Sequence, residues 1–330
     1  MPELRRDPVV GRWVVFTDDL AGRLERTGGD APPVSPCPFC EGRESRTPRE
    51  ILAFRAHGTA ADGPGWRVRV VPNKYPVLRV EGHLDHASHG MFDRMNGVGA
   101  HEVIVETPRH VASPASLEIP EIEEGLWAAR ERIVDLRRDG RLVHASLFRS
   151  VGAAAGARVA HAHSQLLVAP VVPSGIEREI AGAGAYHGFR GRCVWCDVVR
   201  EECREGARVV AETDHFVAFA PYASRSPFES WVVPRLHASR FEETDRARIR
   251  DLASVFKHLL ARLEAALDRP PYNTFLHTAP FPLGESPHFH WHFEVTPRLG
   301  PPSGFEWGSG FEVNPVRPEV AAAALRDARV

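Results

Sequence analysis

His161-Ala162-His163-Ser164-Gln165-Leu166-Leu167-Val168 and His288-Phe289-His290-Trp291-His292-Phe293-Glu294-Val295 are the two stretches on which the fold turns. Both read as strands, and side chains at i, i+2 and i+4 of a strand share one face. His161, His163 and Gln165 therefore line one surface. Working outward, each stretch closes the same series of elements. In the first half Cys37 and Cys40 precede the alternating run Val68–Val71, the strand His101–Glu106 and then His110. Ile122, Leu126, Ala129, Ile133 and Leu136 follow at helical spacing, with Gly140 as a stop and Leu142–Phe148 as a strand. In the second half Cys193 and Cys196 precede strands Phe216–Ala220 and Ser230–Val233, then His237. A helix carries Ile249, Leu252, Phe256, Leu259, Leu263 and Leu267 on one face, and the strand Asn273–Leu276 comes next. His110 to His161 and His237 to His288 are both 51 positions. The shared order implies a duplication, so we expect an α+β fold of two tandem units. Each would be an antiparallel sheet with one long helix, joined edge to edge. The boundaries are set at 1–175 and 176–330.

Composition narrows the class. The 330 residues are 43% hydrophobic and 25% charged with a formal net charge of −2, ordinary for a globular protein. No basic field favours nucleic acid. No apolar run approaches the roughly 20 residues of a membrane span. The N-terminus lacks the apolar core of a secretory signal, so a cytoplasmic location is expected. Four of the five cysteines form the pairs Cys37-Pro38-Phe39-Cys40 and Cys193-Val194-Trp195-Cys196. In a chain of this kind such pairs read as metal half-sites or redox pairs. Cys37 follows the irregular Ala31–Pro36 segment rather than a βαβ unit, which favours metal.

Cys37, Cys40, His110 and His161 make a Cys2His2 set that would close a structural zinc site. Such a site would clamp the N-terminal segment to the strand presenting His163. Cys193, Cys196 and His237 begin a second set. Its fourth ligand comes from the His288, His290 and His292 row, and the repeat spacing favours His288. Glu179 and His277 are harder ligands that iron could accept. Beside His163, the segment Gly152–Gly156 can offer backbone N–H groups to an anion. A neutral imidazole is a nucleophile toward phosphorus and can form a covalent nucleotidyl intermediate, provided its other nitrogen is held by an acceptor such as a backbone carbonyl. Gln165 cannot titrate. It can donate hydrogen bonds to a phosphoryl oxygen, which suits transfer between phosphate groups better than hydrolysis.

With these motifs in place, the chain resembles the galactose-1-phosphate uridylyltransferase family of the histidine-triad superfamily. Its nearest likeness is to the ADP-glucose-phosphorylase-like and prokaryotic uridylyltransferase members. The resemblance runs from Arg6-Asp7-Pro8-Val9-Val10-Gly11-Arg12-Trp13 through Cys37-Pro38-Phe39-Cys40, Asn73, His110 and the His161–Gln165 motif. It continues through Ala220-Pro221-Tyr222, Pro227-Phe228-Glu229 and Phe289–Glu294 to Gly304–Gly310. The resemblance implies a ping-pong transfer in which His163 takes a nucleotidyl group from a nucleotide sugar. Gln165 would contact the phosphoryl group and Asn73 the nucleotide. It implies zinc at Cys37, Cys40, His110 and His161, and a second zinc at Cys193, Cys196, His237 and His290. In other members, positions matching Glu179, His277, His290 and His292 bind iron. A homodimer is the usual assembly.

Three positions depart from the family pattern. The Arg-rich stretch after the first strand is Asp18-Asp19-Leu20-Ala21-Gly22-Arg23, leaving Arg23 as the match. Ser150 replaces an asparagine, and Arg158 replaces a serine that helps hold the phosphates. A guanidinium there could itself bind phosphate. The leading expectation is transfer of UMP from UDP-glucose to galactose 1-phosphate. The alternative is ADP-glucose phosphorylase with inorganic phosphate as acceptor, and the lesser one an inactive, zinc-stabilised nucleotide-binding protein.

Overall fold

Every strand expected from the alternating stretches is present in the computed structural model, which describes residues 2–17 and 36–330. The order begins with β1 (Glu3–Arg6), β2 (Trp13–Phe16), β3 (Leu52–Arg55), β4 (Trp66–Pro72), the exposed hairpin β5 (Ala87–His89) and β6 (Phe92–Arg94), and β7 (Ala100–Val105). Helix α1 (Ile119–Leu136), β8 (His144–Val151) and β9 (His163–Ala169) complete the first half. Then come α2 (Ser174–Arg190), α3 (Val194–Glu205), β10 (Val209–Glu212), β11 (Phe216–Phe219), β12 (Ser230–Pro234), α4 (Arg246–Leu267), β13 (Tyr272–His277) and β14 (His292–Pro297). The chain closes with α5 (Gly304–Ser309), β15 (Glu312–Asn314) and α6 (Pro318–Asp327).

Ten strands form one sheet in the order β10-β11-β12-β14-β13-β8-β9-β7-β4-β3. Read from the centre outward, both halves repeat one pattern, and β8 pairs antiparallel with β13 at the seam. Phe148 faces Phe275 across this seam, while Phe148 also pairs with Gln165 and Phe275 with Glu294. A pseudo-twofold axis therefore passes between the two phenylalanines, and Glu294 is the structural twin of Gln165. The duplicated, edge-to-edge architecture is as expected.

The helices follow from their apolar stripes. Ile122, Leu126, Ala129 and Ile133 of α1 are buried, as are Ile249, Leu252, Phe256, Leu259 and Leu263 of α4, all within one core on one face of the sheet. Pro120 occupies the first turn of α1 and the Glu121 carboxylate accepts the Glu118 N–H; Asp245 caps α4 by accepting from Arg248 N. Such caps satisfy donors that a helix start leaves free. Helix α1 stops at Leu136 rather than running to Gly140, because Arg137–Gly140 form a turn, and β8 accordingly starts at His144, two residues later than Leu142.

The opposite face of the sheet differs between halves. Helices α2 and α3 cover the second half through Trp195, Val199, Val217, Phe219, Trp231 and Val233. No helix covers the corresponding face of the first half among the described residues; a small cluster of Trp66, Val71, Val103 and Val105 lies there, with Phe39 packed on it. The turn after β1 seats Val9 against α2 at Gly182, where an added Cβ would lie 1.8 Å from the Val9 carbonyl oxygen. Gly182→Ala is therefore expected to lower the denaturation midpoint by the equivalent of about 2 kcal/mol, the scale of an overpacked contact. Gly188→Ala in the same helix, where nothing lies within 4 Å, should instead be neutral or slightly stabilising; equal midpoints for both would contradict this packing. No described helix is long and apolar enough to cross a membrane.

Candidate active site

The site is built on the uncovered face of β9. His163, Gln165 and Leu167 are half-buried there, while Ser164, Leu166 and Val168 point into the core below. The strand pairs with β7 so that Val105 faces His163 and Val103 faces Gln165. His163 Nδ1 lies 2.6 Å from the carbonyl oxygen of His161. A carbonyl only accepts, so Nδ1 carries the proton and Nε2 keeps its lone pair. Burial lowers the pKa of the ring, which keeps it neutral near pH 7. Phe39 packs on the imidazole with ring centroids 5.0 Å apart. The required acceptor is thus supplied by the strand's own backbone.

Gln165 belongs to a cluster that sequence reasoning identified only in part. Its Oε1 lies 3.2 Å from Asn73 Nδ2 and 3.0 Å from His101 Nε2. Asn73 follows β4 and bonds through its N–H to the His101 carbonyl, so Asn73, His101 and Gln165 form a row across β4, β7 and β9. His101 was read only as the start of a strand. Its pairing opposite Leu167 makes it the diagonal neighbour of Gln165, a relation that needs the register.

The glycine segment lies between β8 and β9. Gly152 and Gly156 both have positive φ, at 79° and 91°, around a single turn at Ala153–Ala155. Asn273 of the second half braces it, donating to Ser150 Oγ at 3.0 Å and to the Ala155 carbonyl at 2.9 Å. Ser150 is thus engaged with the loop's support. Arg158 is exposed and has no side-chain hydrogen bond or ion pair among the described residues. Arg23 lies outside the described residues.

The two cysteine pairs each complete a cluster that could hold a metal. Cys37, Cys40, His110 and His161 bring four ligand atoms within 4.8 Å of one another, as do Cys193, Cys196, His237 and His290. Sulfur-to-nitrogen separations are 3.6, 3.8 and 3.3 Å in the first and 3.5 and 3.8 Å in the second. A tetrahedron of zinc–sulfur and zinc–nitrogen bonds has an edge of about 3.6 Å, so the donors fit that ion. His161 Nε2 donates to the Thr107 carbonyl at 2.8 Å and His237 Nε2 to the Ser286 carbonyl at 2.9 Å. Each ring is thereby left with Nδ1 as a ligand, the usual outer support of a metal-binding histidine. Burial and the neighbouring Cys37 push the Cys40 thiol up to about 11, a penalty that a bound dication removes by taking thiolates.

His290, not His288, belongs to the second cluster. His161 and His290 each lie two residues ahead of their strands. The span from His237 to His290 is 53 positions against 51 in the first half, because Phe275 and its partner Glu294 are 19 positions apart where Phe148 and its partner Gln165 are 17 apart. The flush spacing therefore pointed to the wrong histidine, and His288 instead lies against His187. A third group, Glu179, His277, His292 and Glu294, also gathers within 4.8 Å. It shares three of the four positions expected for iron, with Glu294 in place of His290. The Glu179 carboxylate, 2.8 Å from His277 Nδ1, leads the charges that hold that buried ring's pKa up at about 9 against burial.

His292 is the twin of His163, and its environment is closed. It is fully buried, with Trp195 at 4.1 Å and Trp231 at 5.6 Å between ring centroids. Trp231 pairs with Glu294 in the register where the smaller Val103 pairs with Gln165. Arg225 binds both Glu294 and Glu229 and keeps the Glu294 carboxylate well below its usual range. Of these two equivalent strands, β9 offers an accessible imidazole beside a neutral amide and β14 a buried imidazole beside a carboxylate.

The family model for the C-terminal domain of galactose-1-phosphate uridyl transferase matches residues 180–299. The chain is 34% identical to an ADP-glucose phosphorylase of Arabidopsis thaliana over 99% of its own length and 93% of the relative's. It is 28% identical to a galactose-1-phosphate uridylyltransferase of Thermotoga maritima over 100% and 99% of the two chains. The crystal structure of an Arabidopsis thaliana ADP-glucose phosphorylase with bound ADP-glucose superposes with a TM-score of 0.85 at 33% identity, covering 100% of both chains. The chain thus has counterparts over its whole length in known enzymes, and it belongs to the galactose-1-phosphate uridylyltransferase family.

Proposed function

We propose that the protein is a nucleotidyltransferase that moves a nucleoside monophosphate from a nucleotide sugar to a phosphate-bearing acceptor through His163. The observation that carries this reading is the 2.6 Å bond from His163 Nδ1 to the His161 carbonyl, which leaves Nε2 as a nucleophile on the open face. Nε2 attacks the α-phosphorus, and the bond to the bridging oxygen of the sugar phosphate breaks. Sugar 1-phosphate leaves with that oxygen and its electron pair. A phosphate oxygen of the acceptor then attacks the nucleotidyl-imidazole and the neutral ring is restored. Donors for the negative oxygens come from the Gln165 amide, the Gly152–Gly156 backbone and Arg158. Zinc at the first cluster would be structural, holding Phe39 and His161 in place around the reacting ring; zinc also suits the sulfur ligands of the second cluster.

The pair of substrates best supported is ADP-glucose and inorganic phosphate, because similarity to ADP-glucose phosphorylase is higher than to the uridylyltransferases. UDP-glucose with galactose 1-phosphate is the second reading, supported by the several uridylyltransferases among the relatives. Each donor should be offered with each acceptor and the products separated. Repeated turnover of ADP-glucose to ADP and glucose 1-phosphate only when phosphate is present, with no more than one equivalent of glucose 1-phosphate released without it, is the expected result. Turnover confined to UDP-glucose plus a hexose 1-phosphate would establish the second reading, and free nucleotide formed in water alone would overturn both.

A further inference from the structure

We propose that His101 is a positioning residue that fixes the Gln165 amide with its N–H2 end toward the substrate's phosphoryl group. The inference rests on the transferase reading above and adds a residue to it.

The argument starts from two backbone N–H groups, whose roles as donors are fixed. Val77 N donates to His101 Nδ1 at 3.2 Å. Nδ1 is then an acceptor, so the proton of the neutral ring sits on Nε2. Burial lowers the pKa of this ring, in keeping with the neutral form. Tyr75 N donates to Asn73 Oδ1 at 2.9 Å, which turns the Asn73 N–H2 group away from Tyr75. Asn73 Nδ2 and His101 Nε2 lie 3.1 Å apart, and with Nδ1 of the neutral ring accepting from Val77, Nε2 has no lone pair to accept from Asn73; both nitrogens donate instead to one atom of Gln165, at 3.0 and 3.2 Å. That atom must be the carbonyl oxygen, because the amide nitrogen has no lone pair to accept with. The N–H2 end of Gln165 is left to point into the open face beside His163.

The direction matters for catalysis. An unrestrained glutamine could present its oxygen to a phosphoryl group and repel it. With the oxygen engaged twice, the amide meets developing negative charge as a donor without reorganising, the condition under which such groups contribute most. Asn73 alone supplies one of the two clamps. His101 supplies the other on a rigid strand, tied by Val77 to the segment that follows Asn73.

Two measurements on the full-length, metal-loaded protein test this. First, nitrogen-15 NMR of histidine-labelled protein reads the tautomer directly: His101 is expected as Nε2–H, and a His101 found as Nδ1–H overturns the proposal whatever the enzyme does. Second, single-turnover formation of nucleotidyl-His163 from ADP-glucose and UDP-glucose is compared across variants. His101→Leu should slow it by about tenfold to a hundredfold, the scale that misplacing a positioned group costs, while KM changes less than about threefold. His101→Gln retains a donor near the Nε2 position and should recover most of the rate. Adding His101→Leu to Gln165→Ala should cost nothing further, since the group it orients is gone. A fully multiplicative loss in the double variant, or an unchanged rate in His101→Leu, overturns the positioning role. A wild-type protein that forms no adduct with either donor would instead sink the transferase reading, and the tautomer would still decide the placement of His101.

Discussion

His163→Ala is expected to eliminate the covalent nucleotidyl-enzyme and to lower turnover by at least about ten-thousandfold, with no change in melting temperature. The magnitude follows from the role: removing a nucleophile leaves only binding and electrostatic contributions. Stability should be spared because the ring lies half-buried on the open face and its one hydrogen bond is to a carbonyl of its own strand. The check is incubation with nucleotide sugar labelled in the α-phosphate, followed by denaturing electrophoresis. Label must appear on the wild type and vanish in the variant. Persistent labelling of His163→Ala would move the nucleophile elsewhere and remove the central element of the proposed chemistry.

Removal of metal is expected to have the second largest effect. Structural zinc in small peptides contributes an apparent ~10–16 kcal/mol at neutral pH, comparable with the whole net stability of a domain at ~5–15 kcal/mol. Metal analysis should give two zinc ions per chain, and chelation should lower the melting temperature by more than about 10 °C. The two clusters should also be separable. Cys37→Ser releases the segment that places Phe39 on His163, so adduct formation falls together with stability. Cys193→Ser loosens the sealed half, lowering the melting temperature while the remaining folded protein still forms the adduct. Fewer than one zinc per chain, or chelated protein that melts unchanged, would refute the structural role.

The duplicated fold was legible because its signals are local and occur twice. The strand alternation around His163, the apolar stripes of α1 and α4 and the paired cysteines each lie within a few residues of one another. The first metal cluster spans residues 37 to 161, and it could be assembled because its order of cysteine pair, histidine and histidine strand recurs in the second half. Its twin showed where strict periodicity fails: two extra residues between Phe275 and Glu294 move the ligand from His288 to His290 without disturbing the strand pairing. His101 stayed hidden because its neighbour Gln165 is 64 positions away, and only the pairing of β7 with β9 joins them. The closure of the second half was likewise out of reach. It depends on α3 laying Trp195 over His292, and nothing in Cys193-Val194-Trp195-Cys196 indicates that the tryptophan points inward. Of the departures from the family pattern, Ser150 proves to be held by Asn273 from the other half, a contact that no reading of one half could anticipate.

The seam between β8 and β13 carries a consequence for how such a protein can change over time. Each of these strands is the missing neighbour of the other, so either copy living alone would expose a row of unpaired amides and carbonyls, the feature from which aggregates grow. The half with the buried histidine strand is therefore costly to shed, because its loss would bare the β8 edge. It serves as a companion whose constraint is the border the two halves share.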